Sequence, residues 1–204
     1  MIGRILGTGA YVPARTVENQ ELAKVVDTND AWIRERTGIA RRHVAEEETT
    51  SHMAAMAARE ALLQAGIAGE DVDLILVATS TPDTIFPCVA CEVQKEIEAA
   101  NSPGFDLNAA CSGFLFAYQT AQAYIQAGLY KTILVIGADS MSHVVDWTDR
   151  GTCILFGDGA GAVVLRAEEG GLSFHAAHSH GTGGDVLTGR SRHRKGWEEP
   201  KRME

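Results

Sequence analysis

The chain has 204 residues, enough for one large domain and a sizeable buried core. It carries 18 Lys and Arg against 27 Asp and Glu, a net charge of −9, which argues against a nucleic-acid binder because no excess of cations is available for phosphates. Four cysteines, at 88, 91, 111 and 153, form no spaced disulfide framework, so reduced thiols and a cytoplasmic location are expected. The N-terminus lacks an apolar signal-like core and no apolar run is long enough to cross a bilayer, so neither secretion nor membrane insertion is expected.

In chain order, Ile2 to Thr8 reads as a first strand, ended by Gly9 and Pro13. Asn19 can cap a short helix reaching Val26, and Asp30 can cap a second, Ala31 to Arg36, stopped by Gly38. Thr49, Thr50 and Ser51 offer caps for an Ala- and Met-rich helix ending at Gly66. Leu74 to Ala78 is a continuous apolar run, the pattern of a fully buried strand. Pro82 and Pro87 shape a loop before a helix from Val89 to Ala100. Phe105 to Leu107 is the next strand, Ser112 to Gly128 the next helix, and Lys131 to Ala138 another buried strand. Two strands, Cys153–Phe156 and Ala160–Arg166, are expected to flank a Gly157-Asp158-Gly159 hairpin turn, with a last strand over Gly171 to Ala177. Strands alternating with helices predict a layered α/β fold with a mostly parallel sheet. Residues 190–204 show neither strand nor helix period and are expected to be an unfolded tail.

The helix from Ser112 carries no charged residue up to Gly128, and apolar side chains lie all around it. Such a helix is normally buried on every side. One sheet covers one side, so a second domain, a second half or another chain is expected over the other.

Chemistry concentrates at Phe105-Asp106-Leu107-Asn108-Ala109-Ala110-Cys111-Ser112-Gly113. A short strand leads through small residues to a thiol at the start of a helix, where free N–H groups and the helix dipole favour a thiolate. Cys111 is therefore either a nucleophile for a thioester-like carbonyl or a buried structural thiol. Trp32, Arg36 and Arg150 could sandwich a flat base, although spacing alone favours a surface Trp with solvated arginines. Gly157-Asp158-Gly159-Ala160-Gly161-Ala162 matches a dinucleotide fingerprint formally, but the following Val163-Val164-Leu165 reads as a strand where a helix is needed. Cys88-Val89-Ala90-Cys91 is a lone C-x-x-C: zinc would need a second pair, and redox chemistry a thioredoxin-like context. His175, His178 and His180 read as loop polar residues rather than metal ligands.

Read together, these segments resemble β-ketoacyl-acyl-carrier-protein synthase III, a condensing-enzyme family of the thiolase superfamily. The resemblance spans about residues 1 to 188, with 189–204 a divergent tail. It rests on Ile5-Leu6-Gly7-Thr8-Gly9-Ala10-Tyr11-Val12-Pro13, on Asp27 to Ile33 with Arg36-Thr37-Gly38-Ile39, on Phe86-Pro87, on Asn108 to Phe114, on Thr148-Asp149-Arg150-Gly151-Thr152, and on Phe156 to Ala162. It implies one half of a duplicated thiolase-like α/β/α fold. It implies that Cys111 takes an acyl group from acyl-CoA, that Trp32 and Arg150 stack on the CoA adenine, and that Thr28, Arg36 and Gly151 lie nearby. Phe86 would reach the neighbouring subunit's acyl pocket in a homodimer. Malonyl-acyl carrier protein would lose CO2 and its carbanion would attack the acyl-enzyme, with no cofactor or metal, to start fatty-acid synthesis. The family's catalytic His and Asn belong to its second half, the His within a His-Gln-Ala-Asn type motif that this sequence does not contain. The alternatives are a non-catalytic fragment that pairs with a full-length relative, or another thiolase-superfamily acyltransferase.

Overall fold

A computed structural model describes residues 1–171 and 174–189. It divides into two compact units, Met1–Phe174 and His175–Glu204. The first unit is a five-stranded mixed sheet between helices. Its strands are β1 (Ile2–Tyr11), β4 (Leu74–Ala78), β5 (Gly104–Leu107), β6 (Thr132–Ser140) and β7 (Asp158–Glu168), in the order β1-β7-β6-β4-β5. β4 pairs in parallel with β5 and β6, whereas β7 runs antiparallel to both β6 and β1. Four strands thus point one way and β7 alone points back. The sheet matches the expected thiolase-like α/β layering.

Helices α3 (Thr50–Ala65) and α4 (Val89–Glu96) cover one face, packing on Ile75, Val77, Leu134, Ile136 and Val164. Helix α5 (Gly113–Gln126) covers the other, over Leu74, Leu76, Ile133, Val135 and Leu165. Alternate residues of the central strands serve opposite layers, as the period-two geometry of a strand requires. α3 seats closely because it offers Ala54, Ala55, Ala57, Ala58 and Ala61, while β1 offers glycine. A Cβ at Gly9 would fall on the Ala57 carbonyl oxygen, and one at Gly7 on that of Ala61. Gly9 is therefore inside β1, not its end: glycine reads as a breaker by propensity but here permits a close backbone approach.

α5 buries one stripe, Gly113, Ala117, Ala121, Gln122 and Ile125. Gln122 grips the Gly3 backbone from both sides, accepting from its N–H at 2.8 Å and donating to its carbonyl at 2.7 Å. Leu115, on another side of the helix, is 63% exposed.

A smaller lobe comprises β2 (Thr16–Glu18) and β3 (Arg41–His43), paired antiparallel, with α1 (Asn19–Leu22) and α2 (Asp30–Thr37). Val17, Leu22, Ile33, Cys153 and Ile154 form its core. Neither β2 nor β3 was expected, since three residues are too few to show a period.

Several sequence expectations are corrected. Asn19 does not cap α1: Glu18 and Glu21 form a capping box, and the buried Asn19 amide donates to Asp30 and to the Ile39 carbonyl, both at 2.8 Å. Asn29, not Asp30, caps α2, accepting from the Trp32 N–H at 2.9 Å. α4 stops at Glu96 because Glu98 adopts a left-handed φ of 59° and the Ala99 N–H turns back to Gln94. This is a Schellman ending without the glycine that would have announced it. The Cys153–Phe156 strand and its hairpin do not form: Cys153 and Leu155 donate to Asp149 and Thr152 in local turns. Cys153 and Ile154 are buried and Leu155 is exposed, and burial alone does not separate strand from turn. Of the expected 171–177 strand, residues 172 and 173 lie outside the described residues and the others are not in a strand. Residues 190–204 also lie outside them. Within the second unit, residues 181–186 form a 3-10 turn, with the Thr188 hydroxyl donating to the Gly184 carbonyl at 2.8 Å. Among the described residues no helix is long and apolar enough to cross a membrane.

The two kinds of glycine in this fold predict different costs. Gly9→Ala forces β1 and α3 apart and should destabilise by about 2–3 kcal/mol. Gly38→Ala meets no atom but sits at a φ of 73°, and should cost about 1 kcal/mol. Urea denaturation followed by circular dichroism measures both; equal effects would contradict the close seating of α3.

Candidate active site

β5 ends at Leu107 and the chain turns sharply. The Asn108 carboxamide oxygen accepts from the Ala110 N–H at 3.1 Å and from the Ser80 hydroxyl at 3.1 Å, an Asx turn tied to the loop after β4. Ala110 is held at a φ of 48°, a left-handed conformation that costs an alanine about 1–2 kcal/mol. Ala110-Cys111-Ser112 then form a 3-10 turn leading into α5. Cys111 is thus delivered by a strained turn and lies two residues before the first residue of the helix; it is exposed, which removes the buried structural-thiol reading.

Beside it lies a cleft of about 340 Å³, lined by Cys111, Phe114, Asp139 and Met141 and floored by small residues of β6 and β7. Gly137 faces Gly161, Ala138 faces Ala160, and Asp139 faces Gly159 across the β6–β7 ladder. This run of small cross-strand pairs leaves the space next to the thiol open. Gly157 leads into β7, and Gly157, Gly159, Ala160 and Gly161 line the cleft; no helix follows, so the segment is not a dinucleotide loop, nor is it the expected hairpin. Asp139 accepts from the Ser80 N–H at 2.7 Å and from the Thr79 and Thr81 hydroxyls at 3.2 and 3.1 Å, which fixes the loop over the cleft. Neither Asp139 nor Met141 stood out in the sequence; only the small-residue run on facing strands could have pointed to them.

Asp158, buried at the start of β7, accepts from the Ala45 N–H at 2.7 Å, the Ser142 N–H at 2.8 Å and the Ser142 hydroxyl at 2.6 Å. It ties the small lobe to the cleft wall. Arg42, also buried, donates to the Val17 and Ile154 carbonyls and to Asn19, and burial pulls its guanidinium below its ordinary pKa. Cys153 is wholly buried and burial pushes its thiol up, so it is no competitor to Cys111.

The second cluster sits on the small lobe. The Arg36 and Arg150 guanidinium carbons lie 4.4 and 4.1 Å from the Trp32 ring centre. The structure therefore assembles three residues that sequence spacing could not connect. Arg36 follows Trp32 by one turn of α2, but Arg150 is brought by a separate turn. There Asp149 accepts from the Gly151 N–H at 2.9 Å and the Thr152 hydroxyl at 2.6 Å, and Asp146 from the Thr148 N–H at 2.9 Å and hydroxyl at 2.7 Å. Thr28 precedes the α2 cap, and its hydroxyl oxygen is buried with no hydrogen-bond partner. Phe86 lies apart from the cleft lining, 83% exposed on the loop before α4. No grouping of three or more potential metal ligands occurs among the described residues.

Residues 105–183 match the family model of 3-oxoacyl-[acyl-carrier-protein (ACP)] synthase III. The chain is 51% identical over 184 residues to a β-ketoacyl-[acyl-carrier-protein] synthase III of Clostridium acetobutylicum, covering 90% of this chain and 57% of that protein. It is 52% identical over 190 residues to one from Rhodospirillum centenum, covering 90% and 59%. Among solved structures, 3-oxoacyl-[acyl-carrier-protein] synthase III from Aquifex aeolicus superposes with a TM-score of 0.81 at 50% identity, covering 82% of this chain and 55% of that one. The Thermus thermophilus β-ketoacyl-[acyl-carrier-protein] synthase III superposes with 0.86 at 40% identity, covering 93% and 60%. The chain thus spans between half and two thirds of the length of the relatives it matches.

The Arg150 turn carries a pH signature. Asp149 is held below the usual carboxylate range chiefly by the Thr152 hydroxyl, and Asp146 chiefly by the Thr148 hydroxyl. Carboxyls lowered by folding contribute fully above their unfolded pKa of about 4 and lose that contribution as pH falls through the lowered value. The Thr148, Gly151 and Thr152 amide resonances should therefore stay unchanged down to about pH 4 and shift only below it. A transition centred above that pH would contradict these hydrogen bonds.

Proposed function

We infer the function of this chain from the β-ketoacyl-acyl-carrier-protein synthase III family, the thiolase-superfamily condensing enzymes to which it belongs over nine tenths of its length. The family is one of acyltransferases in fatty-acid synthesis. For this chain we propose that acyl-CoA is the first substrate and Cys111 its acceptor. The Cys111 thiolate attacks the thioester carbonyl, the tetrahedral intermediate collapses, and CoA leaves as its thiolate, giving acyl-Cys111. The observation that carries this reading is the exposed thiol at the strained Ala110 turn, beside a cleft whose floor is kept open by glycines and alanines.

Trp32, Arg36 and Arg150 are proposed as the adenine site, with Thr28 and Gly151 beside it. A base between two flat groups needs about 7 Å, twice an ordinary contact distance. Arg150 stands 4.1 Å from the ring, so binding moves it out by roughly 3 Å, which the turn at Asp149 permits by a change of side-chain rotamer. In the second step, malonyl-acyl carrier protein loses CO2 and its carbanion attacks acyl-Cys111. That step needs groups that stabilise an enolate. Among the described residues no histidine lines the cleft, and self-acylation is the half-reaction assigned to these residues. The exposure of Phe86 supports its reading as a contact to the acyl pocket of a second copy in a homodimer. No cofactor or metal enters this scheme, and the cytoplasm, where acyl-CoA is available, is its proposed location.

Incubation with acetyl-CoA should add one acetyl group by intact mass, lost in Cys111→Ala; an adduct that persists in that variant would overturn the assignment. Arg150→Ala should raise the half-saturating acyl-CoA concentration about tenfold and leave the limiting acylation rate unchanged. A fall in the limiting rate alone would remove Arg150 from the binding site.

A further inference from the structure

We propose that Cys88 and Cys91 form a reversible dithiol/disulfide site, separate from Cys111 and independent of the acyl-transfer reading. The two sulfurs stand 3.4 Å apart across the first turn of α4. Cys88 precedes the helix in an extended conformation, with φ −72° and ψ 158°, so its side chain is not committed to the helical direction. The turn between them is already closed, with the Cys91 N–H on the Cys88 carbonyl at 3.0 Å. It is also anchored: the Asp106 carboxylate on β5 accepts from the Val89 and Ala90 N–H groups, each at 2.8 Å. A disulfide needs about 2 Å between sulfurs, a gap that side-chain rotation closes while the backbone keeps these hydrogen bonds. Cys91 is exposed and Cys88 half-buried, so a small oxidant reaches Cys91 first and Cys88 is placed to resolve it.

The oxidant class is a peroxide. The Cys91 thiolate attacks one peroxide oxygen, the O–O bond breaks, and hydroxide leaves, giving a sulfenic acid. The Cys88 sulfur then attacks the Cys91 sulfur, the S–O bond breaks, and water departs with the Cys88 proton. Two thiols are oxidised by two electrons and one peroxide is reduced to two waters. The hydrogen bond shared with Cys88, then burial, then the neighbouring charges of Cys88, Asp106 and Glu92 hold the Cys91 thiol above its ordinary value. Oxidation is therefore slow at neutral pH and quickens above the ordinary thiol range.

The test is hydrogen peroxide treatment of the whole folded chain, then denaturation, alkylation and tryptic mapping. No Lys or Arg lies between Arg59 and Lys95, so one peptide holds both cysteines. That peptide should become unalkylated and two hydrogens lighter, and dithiothreitol should restore two alkylated thiols. In Cys88→Ser, dimedone should trap Cys91 sulfenic acid instead. The closure should be about tenfold faster or more in the folded chain than in concentrated urea. A doubly alkylated peptide under conditions that oxidise Cys111, or equal rates folded and unfolded, would overturn the proposal.

Discussion

The close seating of α3 on β1 is the constraint from which the site follows. β1 pairs with β7 along its length, and β7 pairs in turn with β6. Glycine at 7 and 9 against alanines of α3 lets the helix approach at backbone distance, which fixes the height of β1 and so of β7. The first residues of β7 form the cleft floor. A larger side chain anywhere in this stack would lift the floor toward Cys111. Packing at this density transmits displacement rather than absorbing it. Small residues thus serve two ends here: tight helix–sheet contact on one face and open space for a ligand at the strand ends.

Two buried polar side chains then fix the small lobe: Asp158 fastens it to that sheet, and Arg42 closes it internally. Asp158 takes three hydrogen bonds from 45 and 142, and Arg42 gives its hydrogen bonds to 17, 19 and 154. Neither finds an opposite charge in these contacts, so each depends on amide, hydroxyl and carbonyl dipoles to offset its desolvation. Such groups are costly when a partner is lost, and this ties the lobe to one position. The consequence reaches function through Ile154: the carbonyl held by Arg42 lies four residues after Arg150. The Trp32 stack is therefore positioned by the same network that closes the small lobe.

Much of this was legible in the sequence where pattern and chemistry agree. The strands expected at 74–78 and 131–138 became the buried central strands β4 and β6, and Gly38 and Gly66 became left-handed helix ends. Cys111 was visible because small residues flank a thiol at a strand-to-helix junction. The misses have two causes: partners distant in sequence, and local turns that no glycine announces. Asn19 looked like a cap but its amide was claimed by Asp30 and Ile39. Cys153 and Ile154 looked like a strand because they are apolar, yet their backbone bonds close locally while their side chains fill the lobe core. The left-handed Ala110 and Glu98 carry no glycine to announce them. Arg150 could not be placed on Trp32 from a separation of more than a hundred residues.

The strain at Ala110 makes physical sense only with the helix that follows. An alanine in a left-handed conformation persists when surrounding hydrogen bonds over-determine it. Here the Asn108 carboxamide holds its N–H from one side, and the 3-10 turn closes onto Gly113 from the other. Gly113 in turn packs against Ala78 of β4, where a Cβ would stand 3.1 Å from the Ala78 methyl. The turn is thus clamped between the ends of β4 and β5. A thiol carried on such a turn keeps its direction when a substrate arrives, so less ordering is left for the reaction to supply. The same clamp explains why a cysteine that is unremarkable by composition is presented to the cleft.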